Sequence, residues 1–187
     1  MTRERAALLN RAVDAVKQGR IKEGKHQLRA CEAVLADDPF LLGAAKLTFA
    51  NTLQERGNLW RALVYNYRAY TRLRAVVGEA ILQRAHSAYN ISSLLVKLSF
   101  VPSTIGNTMR WPLRRAAFAV ANHFAQTALV EYLAYPYTQP ADARQAVQFV
   151  GKFREAGHPL ERRVLDALVA FGKQATDTDA SPDDPVA

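Results

Sequence analysis

The chain has 187 residues, 49% hydrophobic and 22% charged, with a formal net charge of +8. This is the composition of a globular protein able to bury a core, one domain of ordinary size with room for a tail. A single cysteine, Cys31, excludes an internal disulfide, and no charged start followed by an apolar run suggests a secretory leader.

The first expected helix runs from Thr2 to Gln18, with Ala6, Leu9, Val13 and Val16 at three-to-four spacing on one face. Gly19 stops it, because glycine enters the left-handed conformation without steric cost. A second helix starts near Ile21 and places Leu28, Cys31 and Leu35 on one face. Asp38-Pro39 then reads as an N-cap followed by proline at the first helical position. The third helix carries Leu42, Ala45, Phe49 and Leu53 and ends at Gly57. Asn58 is expected to cap a fourth, which runs to about Val77.

A shift of 38 residues superimposes these two hairpins. It puts Ala6 on Ala44, Leu9 on Leu47, Ala12 on Ala50 and Gly19 on Gly57. Beyond the turn, Gly24 falls on Ala62, Cys31 on Ala69 and Leu35 on Leu73. Small residues thus recur where two helices of a hairpin must come close. A third copy is partial: Ala50 falls on Ala88 and Leu53 on Ile91, but Gly57 falls on Leu95, which makes no turn. A helix from about Glu79 therefore continues to Phe100. After a loop over Ser103 to Arg110, a long helix is expected from Trp111 to Tyr135, another from Pro140 to Ala156, and a last one ending near Gln174. The long one includes an apolar stretch, Ala116 to Tyr137, but Asn122, His123, Gln126 and Glu131 interrupt it. It reads as a buried helix and not a membrane span. The segment 175–187 has four Asp and no base, and is expected to be a disordered acidic tail.

The pattern of a small residue mid-helix, a turn glycine, small residues in the second helix and a following proline (Pro39) resembles the tetratricopeptide repeat over Ala6 to Val77. The period is 38 residues here, against 34 in the family. The family's early aromatic is absent. The expectation is an all-α fold of about eight helices: one domain over 1–174, with tetratricopeptide-like hairpins in 1–77 and a non-repeating helical cap in 78–174.

Catalytic chemistry finds little support. His26, His86, His123 and His158 are scattered, no HExxH or paired CxxC occurs, and Glu23–His26 is a lone ExxH. His123 reads as a core histidine with Glu131, eight residues on, near the same face. Gly19, Gly24 and Lys25 match the spacing of a phosphate loop, but His26 replaces its Ser/Thr and no strand precedes it. Cys31 reads as a packed, inert thiol. Neither an enzyme nor a cofactor is expected.

Three surfaces are candidates for binding. The resemblance implies a groove made by the first helices of the hairpins, carried here by Leu9, Val13 and Lys17 and by Leu47, Asn51, Gln54 and Glu55. Asn51 matches an asparagine with which some family members grip a peptide. The lysine and asparagine expected in the first hairpin are Leu9 and Val13 here, so a carboxylate clamp is not intact. The second surface is a basic stripe on the fourth helix, with Arg61, Tyr65, Arg68 and Arg72 at i, i+4, i+7 and i+11. It belongs to a stretch, Leu59 to Val130, with nine Arg/Lys and the single acid Glu79. The third is the loop region of Phe100, Met109, Arg110, Trp111, Arg114 and Arg115, aromatic and basic together. The reading that best joins these features is a non-enzymatic cytoplasmic scaffold or adaptor binding a protein segment. The alternatives are a nucleic-acid-binding protein using the basic middle third and a peripheral membrane or assembly subunit using the loop.

Overall fold

The computed structural model describes residues 3–76, 78, 80–100, 107–135 and 138–179. Among them are eight α-helices and no strand: α1 Arg3–Lys17, α2 Ile21–Val34, α3 Pro39–Glu55, α4 Leu59–Leu73, α5 Ile81–Phe100, α6 Asn107–Ala134, α7 Pro140–Glu155 and α8 Arg162–Asp179. The all-α class follows the periodicity of the sequence. Among the described residues, no helix is long and apolar enough to cross a membrane.

The turns inside the first two hairpins repeat bond for bond. Gly19 N–H donates to Val16 O at 2.9 Å and Arg20 N–H to Ala15 O at 2.8 Å. In the second hairpin, Gly57 N–H donates to Gln54 O at 2.9 Å and Asn58 N–H to Leu53 O at 2.8 Å. These paired bonds satisfy the last carbonyls of α1 and α3. They require a left-handed residue, which Gly19 and Gly57 supply with φ of +80° and +71°. Asp38 caps α3 as expected, its carboxylate accepting Leu41 N–H at 2.9 Å ahead of Pro39. Asn58 does not: it precedes α4, but its side chain makes no capping bond.

Three other boundaries differ from the sequence reading. α4 ends at Leu73 and not near Val77, and α6 begins at Asn107, inside the stretch read as a loop. α8 continues past Gln174 to Asp179, taking in the start of the segment read as tail; residues 180–187 lie outside those described.

α1 pairs with α2 and α3 with α4, and α1 also lies against α3. α4 packs on α5, α5 on α6, and both α7 and α8 on α6. One core cluster joins the hairpins through Val16, Leu28, Phe49, Leu53 and Ala62, and a smaller one holds Cys31, Leu35, Leu42 and Ala45. The largest spans α4 to α8 around Ile91, Leu129, Tyr132, Phe153 and Val164. Polar ties fasten the later helices. Gln126 on α6 donates to Pro159 O at 3.1 Å and accepts Glu161 N–H at 2.6 Å, which clamps the α7–α8 turn. Ser92 on α5 donates to Ala121 O at 2.6 Å.

The hairpins close at small residues. A Cβ on Gly24 would lie 2.6 Å from Val16 Cγ2 and 2.9 Å from the Ala12 carbonyl oxygen. Gly24→Ala should therefore destabilise by ~1–3 kcal/mol, the range for overpacking. Gly151, in α7, has nothing within 4 Å of such a Cβ. There alanine should stabilise by ~0.5–1 kcal/mol through helix propensity. Urea unfolding of both variants checks the pair; equal midpoints would mean that α1 and α2 do not approach this closely.

Candidate functional site

The groove implied by the resemblance assembles only at its polar end. Leu47 is buried, and Leu9 is half-buried against both hairpin clusters, because α1 lies directly on α3. The apolar end of the expected groove is therefore core, a correction to the sequence reading. Val13 is half-buried and Lys17 exposed at the end of α1. Asn51, Gln54 and Glu55 do line an open notch, of about 410 Å³, and α5 supplies its other wall with Asn90 and Lys97. Asn90 Nδ2 donates to Asn51 Oδ1 at 2.9 Å and reaches Asn66 Oδ1 on α4 at 3.4 Å. Buried Asn66 is anchored in turn, its amide donating to Ala62 O at 3.0 Å. Gln54 Oε1 is buried and unpartnered. Glu55 and Lys97 bring opposite charges to the notch without an ion pair among the described residues.

Asn90 and Lys97 were not legible as site residues. The 38-residue shift aligns Asn90 with Thr52, a buried position, and so points away from a groove. α5 departs from the repeat, packing chiefly between α4 and α6 and only lightly on α3.

On α4 the stripe divides. Arg61, Arg68 and Arg72 are exposed, but Tyr65 is buried, edge-on to Phe49 with ring centroids 4.9 Å apart. This corrects its placement on a working surface: Tyr65 belongs to the core side, and only the Arg68 guanidinium, 5.6 Å from its ring centroid, links it to the outside. Burial pushes the Tyr65 hydroxyl pKa up, helped by Glu32 and opposed by Arg68, Arg29 and Arg61, so these charges gather around one ring. Glu32 is itself paired with buried Lys46. No carboxylate pairs with Arg61, Arg68 or Arg72 among the described residues. Beside the arginines, Trp60, Val64 and Tyr67 are 69%, 46% and 53% exposed. Their i, i+4, i+7 spacing was visible in the sequence, overshadowed by Leu59, Leu63, Tyr70 and Leu73 on the inner side.

Of the third surface, Phe100 is exposed, and Arg114 lies 4.4 Å over its ring and 5.8 Å from that of Phe118. Arg114 and Arg115 line an open cleft of about 570 Å³ with Phe118 and the α7–α8 turn at Gly157, His158 and Pro159. The side chains of Met109, Arg110 and Trp111 lie outside the described residues.

The titratable groups fall into structural roles. His123 is exposed and pairs with Glu161 at 3.0 Å, not with Glu131 as its helical spacing suggested. Burial pushes the Glu161 carboxyl up, but hydrogen bonds from Arg163 and His123 outweigh it and hold the pKa below the ordinary value. Glu131 pairs with Arg84 at 2.6 Å, and burial nevertheless raises its pKa. Cys31 is fully buried, and that burial pushes its thiol up. Among the described residues, no three His, Cys, Asp or Glu side chains gather as a metal site would require. Comparison with protein-family models, curated proteins and solved structures gave no match.

His86, hydrogen-bonded to Tyr132 between α5 and α6, is the histidine whose environment has a measurable consequence. Burial lowers its pKa below the ordinary 6.5, although Asp142 pulls the other way. The unfolded chain then binds a proton that the folded chain refuses. Stability should therefore fall as pH drops from 6.5 towards the folded value, with a slope of at most ~1.4 kcal/mol per pH unit from this group. Denaturation from pH 7.5 to about 5 should show that slope in the parent and a shallower one in His86→Asn; identical slopes would mean that His86 is solvated.

Proposed function

We propose that the chain is a non-enzymatic interaction module of tetratricopeptide-like build, a scaffold or adaptor that holds a segment of another protein in the notch between α3 and α5. The supporting observation is the half-used set of carboxamides there. Asn51 and Asn90 bind each other through one hydrogen bond, which orients both amides and leaves the nitrogen of Asn51 and the oxygen of Asn90 without partners among the described residues. The Gln54 oxygen is a second unmet acceptor. A buried acceptor without a partner is costly, and an extended backbone brings N–H and C=O groups that answer both needs. Lys97 and Glu55 add one charge of each sign at the rim. That arrangement suits neutral main chain better than a polyanion, and so supports a protein segment over a nucleic acid as the occupant. Unpaired Cys31 fits a reducing, cytoplasmic setting.

A photo-crosslinking residue in place of Lys97 at the rim of the notch, in the full chain, should capture a protein that nuclease treatment leaves in place. Asn51→Ala with Asn90→Ala should weaken binding of that protein by about tenfold or more, the size expected from two hydrogen bonds, with helicity unchanged. A nuclease-sensitive capture, or full affinity in the double variant, would overturn the proposal.

A further inference from the structure

α4 puts its largest residue in water. Trp60, Val64 and Tyr67 form one ridge along the helix, all well exposed, and Thr71 continues the same line. Arg61, Arg68 and Arg72 border the ridge on one side, and Arg74 stands on the other, its guanidinium 5.9 Å from the Tyr70 ring. α4 contains no acid. The neighbouring acid, Glu32, is committed to Lys46. Arg29 of α2 extends the positive border, since it acts on Tyr65 together with Arg61 and Arg68. The ridge is also separate from the notch. Asn66, whose carbonyl receives Asn90 beneath the notch, lies on the inner side of α4 with Ala62 and Tyr70.

We infer that this outer face of α4 is a second docking surface, whose occupant is an acidic amphipathic helix of a partner protein. Apolar anchors at i, i+4 and i+7 on a straight ridge match the same spacing on a helix laid along it. Trp, Tyr and Arg are the side chains that concentrate binding energy at protein interfaces. The border of unpaired arginines selects carboxylates flanking the partner's apolar stripe, since guanidinium binds them in a bidentate way and stays planar against the neighbouring rings. Nucleic acid fits less well. The middle of the ridge is Val64, which offers neither charge to a phosphate nor a ring to a base. A lipid surface fits less well too, because α4 already commits Ala62, Ala69 and Leu73 to the core and has only the narrow ridge to insert.

The test uses the full chain and a fluorescein-labelled synthetic helix of about 18 residues, with leucines on one face and glutamates flanking them. Its controls are a scrambled peptide of the same composition, a single-stranded oligonucleotide and phosphatidylserine vesicles. The patterned peptide should bind best, and Trp60→Ala should weaken it by about tenfold or more. Combined Arg61→Glu, Arg68→Glu and Arg72→Glu should abolish that binding and create binding to a peptide with lysines in place of the glutamates. Gain of the lysine peptide shows that the triple variant is folded. Asn51→Ala with Asn90→Ala should change nothing here, so failure at the notch and failure at α4 are separable. Equal binding of the scrambled peptide, tighter binding of the oligonucleotide or vesicles, or full affinity in Trp60→Ala would overturn the inference.

Discussion

The constraint on which the rest depends is the close approach of paired helices at Gly24 and Gly43. At Gly24 a Cβ would sit 2.6 Å from Val16 Cγ2, and at Gly43 the same distance from Leu73 Cγ, so neither hairpin could close as it does with any larger residue. With the backbones this near, one large side chain serves several helices. Phe49, fully buried, reaches from Gly24 on α2 to the edge of Tyr65 on α4. A single ring thereby sets how the second hairpin sits on the first. It also sets the roll of α4 about its axis, and that roll decides which residues of α4 face water. The outer face of α4 inherits its geometry from this contact.

Beyond α4 the repeat gives way to a different means of assembly. α6 is the shared partner of α5, α7 and α8, and polar groups fix its neighbours in place. Gln126 holds the α7–α8 turn with both its amide atoms, and Arg84 pairs with Glu131 across α5 and α6. Directional polar contacts of this kind orient helices more sharply than apolar burial does, because burial has no direction. α5 is thus held by α6, through Ser92 among other contacts, more than by α3, and a notch remains between α3 and α5.

The legible parts of the fold were those determined locally. Leu42, Ala45, Phe49 and Leu53 announced the inner face of α3, and Gly19 and Gly57 announced turns whose hydrogen bonds are the same 38 residues apart. Contacts between distant segments were not legible. Helical spacing points His123 to Glu131 on the same helix, but its partner is Glu161, immediately ahead of α8. Leu9 and Leu47 were carried to a groove by resemblance, yet the packing of α1 on α3 makes them core. Tyr65 and Tyr67 show the limit most clearly. Two positions apart on a helix they face different ways, one to Phe49 and one to solvent. Which is which depends on the roll of α4, a tertiary quantity that no local spacing contains.

That same roll accounts for the inversion on α4, where Ala62 and Ala69 are fully buried while Trp60 is the most exposed large residue of the helix. Burying a large apolar side chain stabilises by roughly 1.5–3 kcal/mol, so a helix selected for burial alone would turn its tryptophan inward. The inner face of α4 has no place for it, because that face is taken up by Ala62, Ala69 and Leu73, with Leu73 seated directly against Gly43 of α3. Tyr65 and Tyr70 fill the remaining inner room beside them. Trp60, Val64 and Tyr67 stand outside, with no role in the core to explain their size. The tight hairpin and the apolar ridge are consequences of one geometry: the closer α4 comes to α3, the more of its apolar surface must find another neighbour.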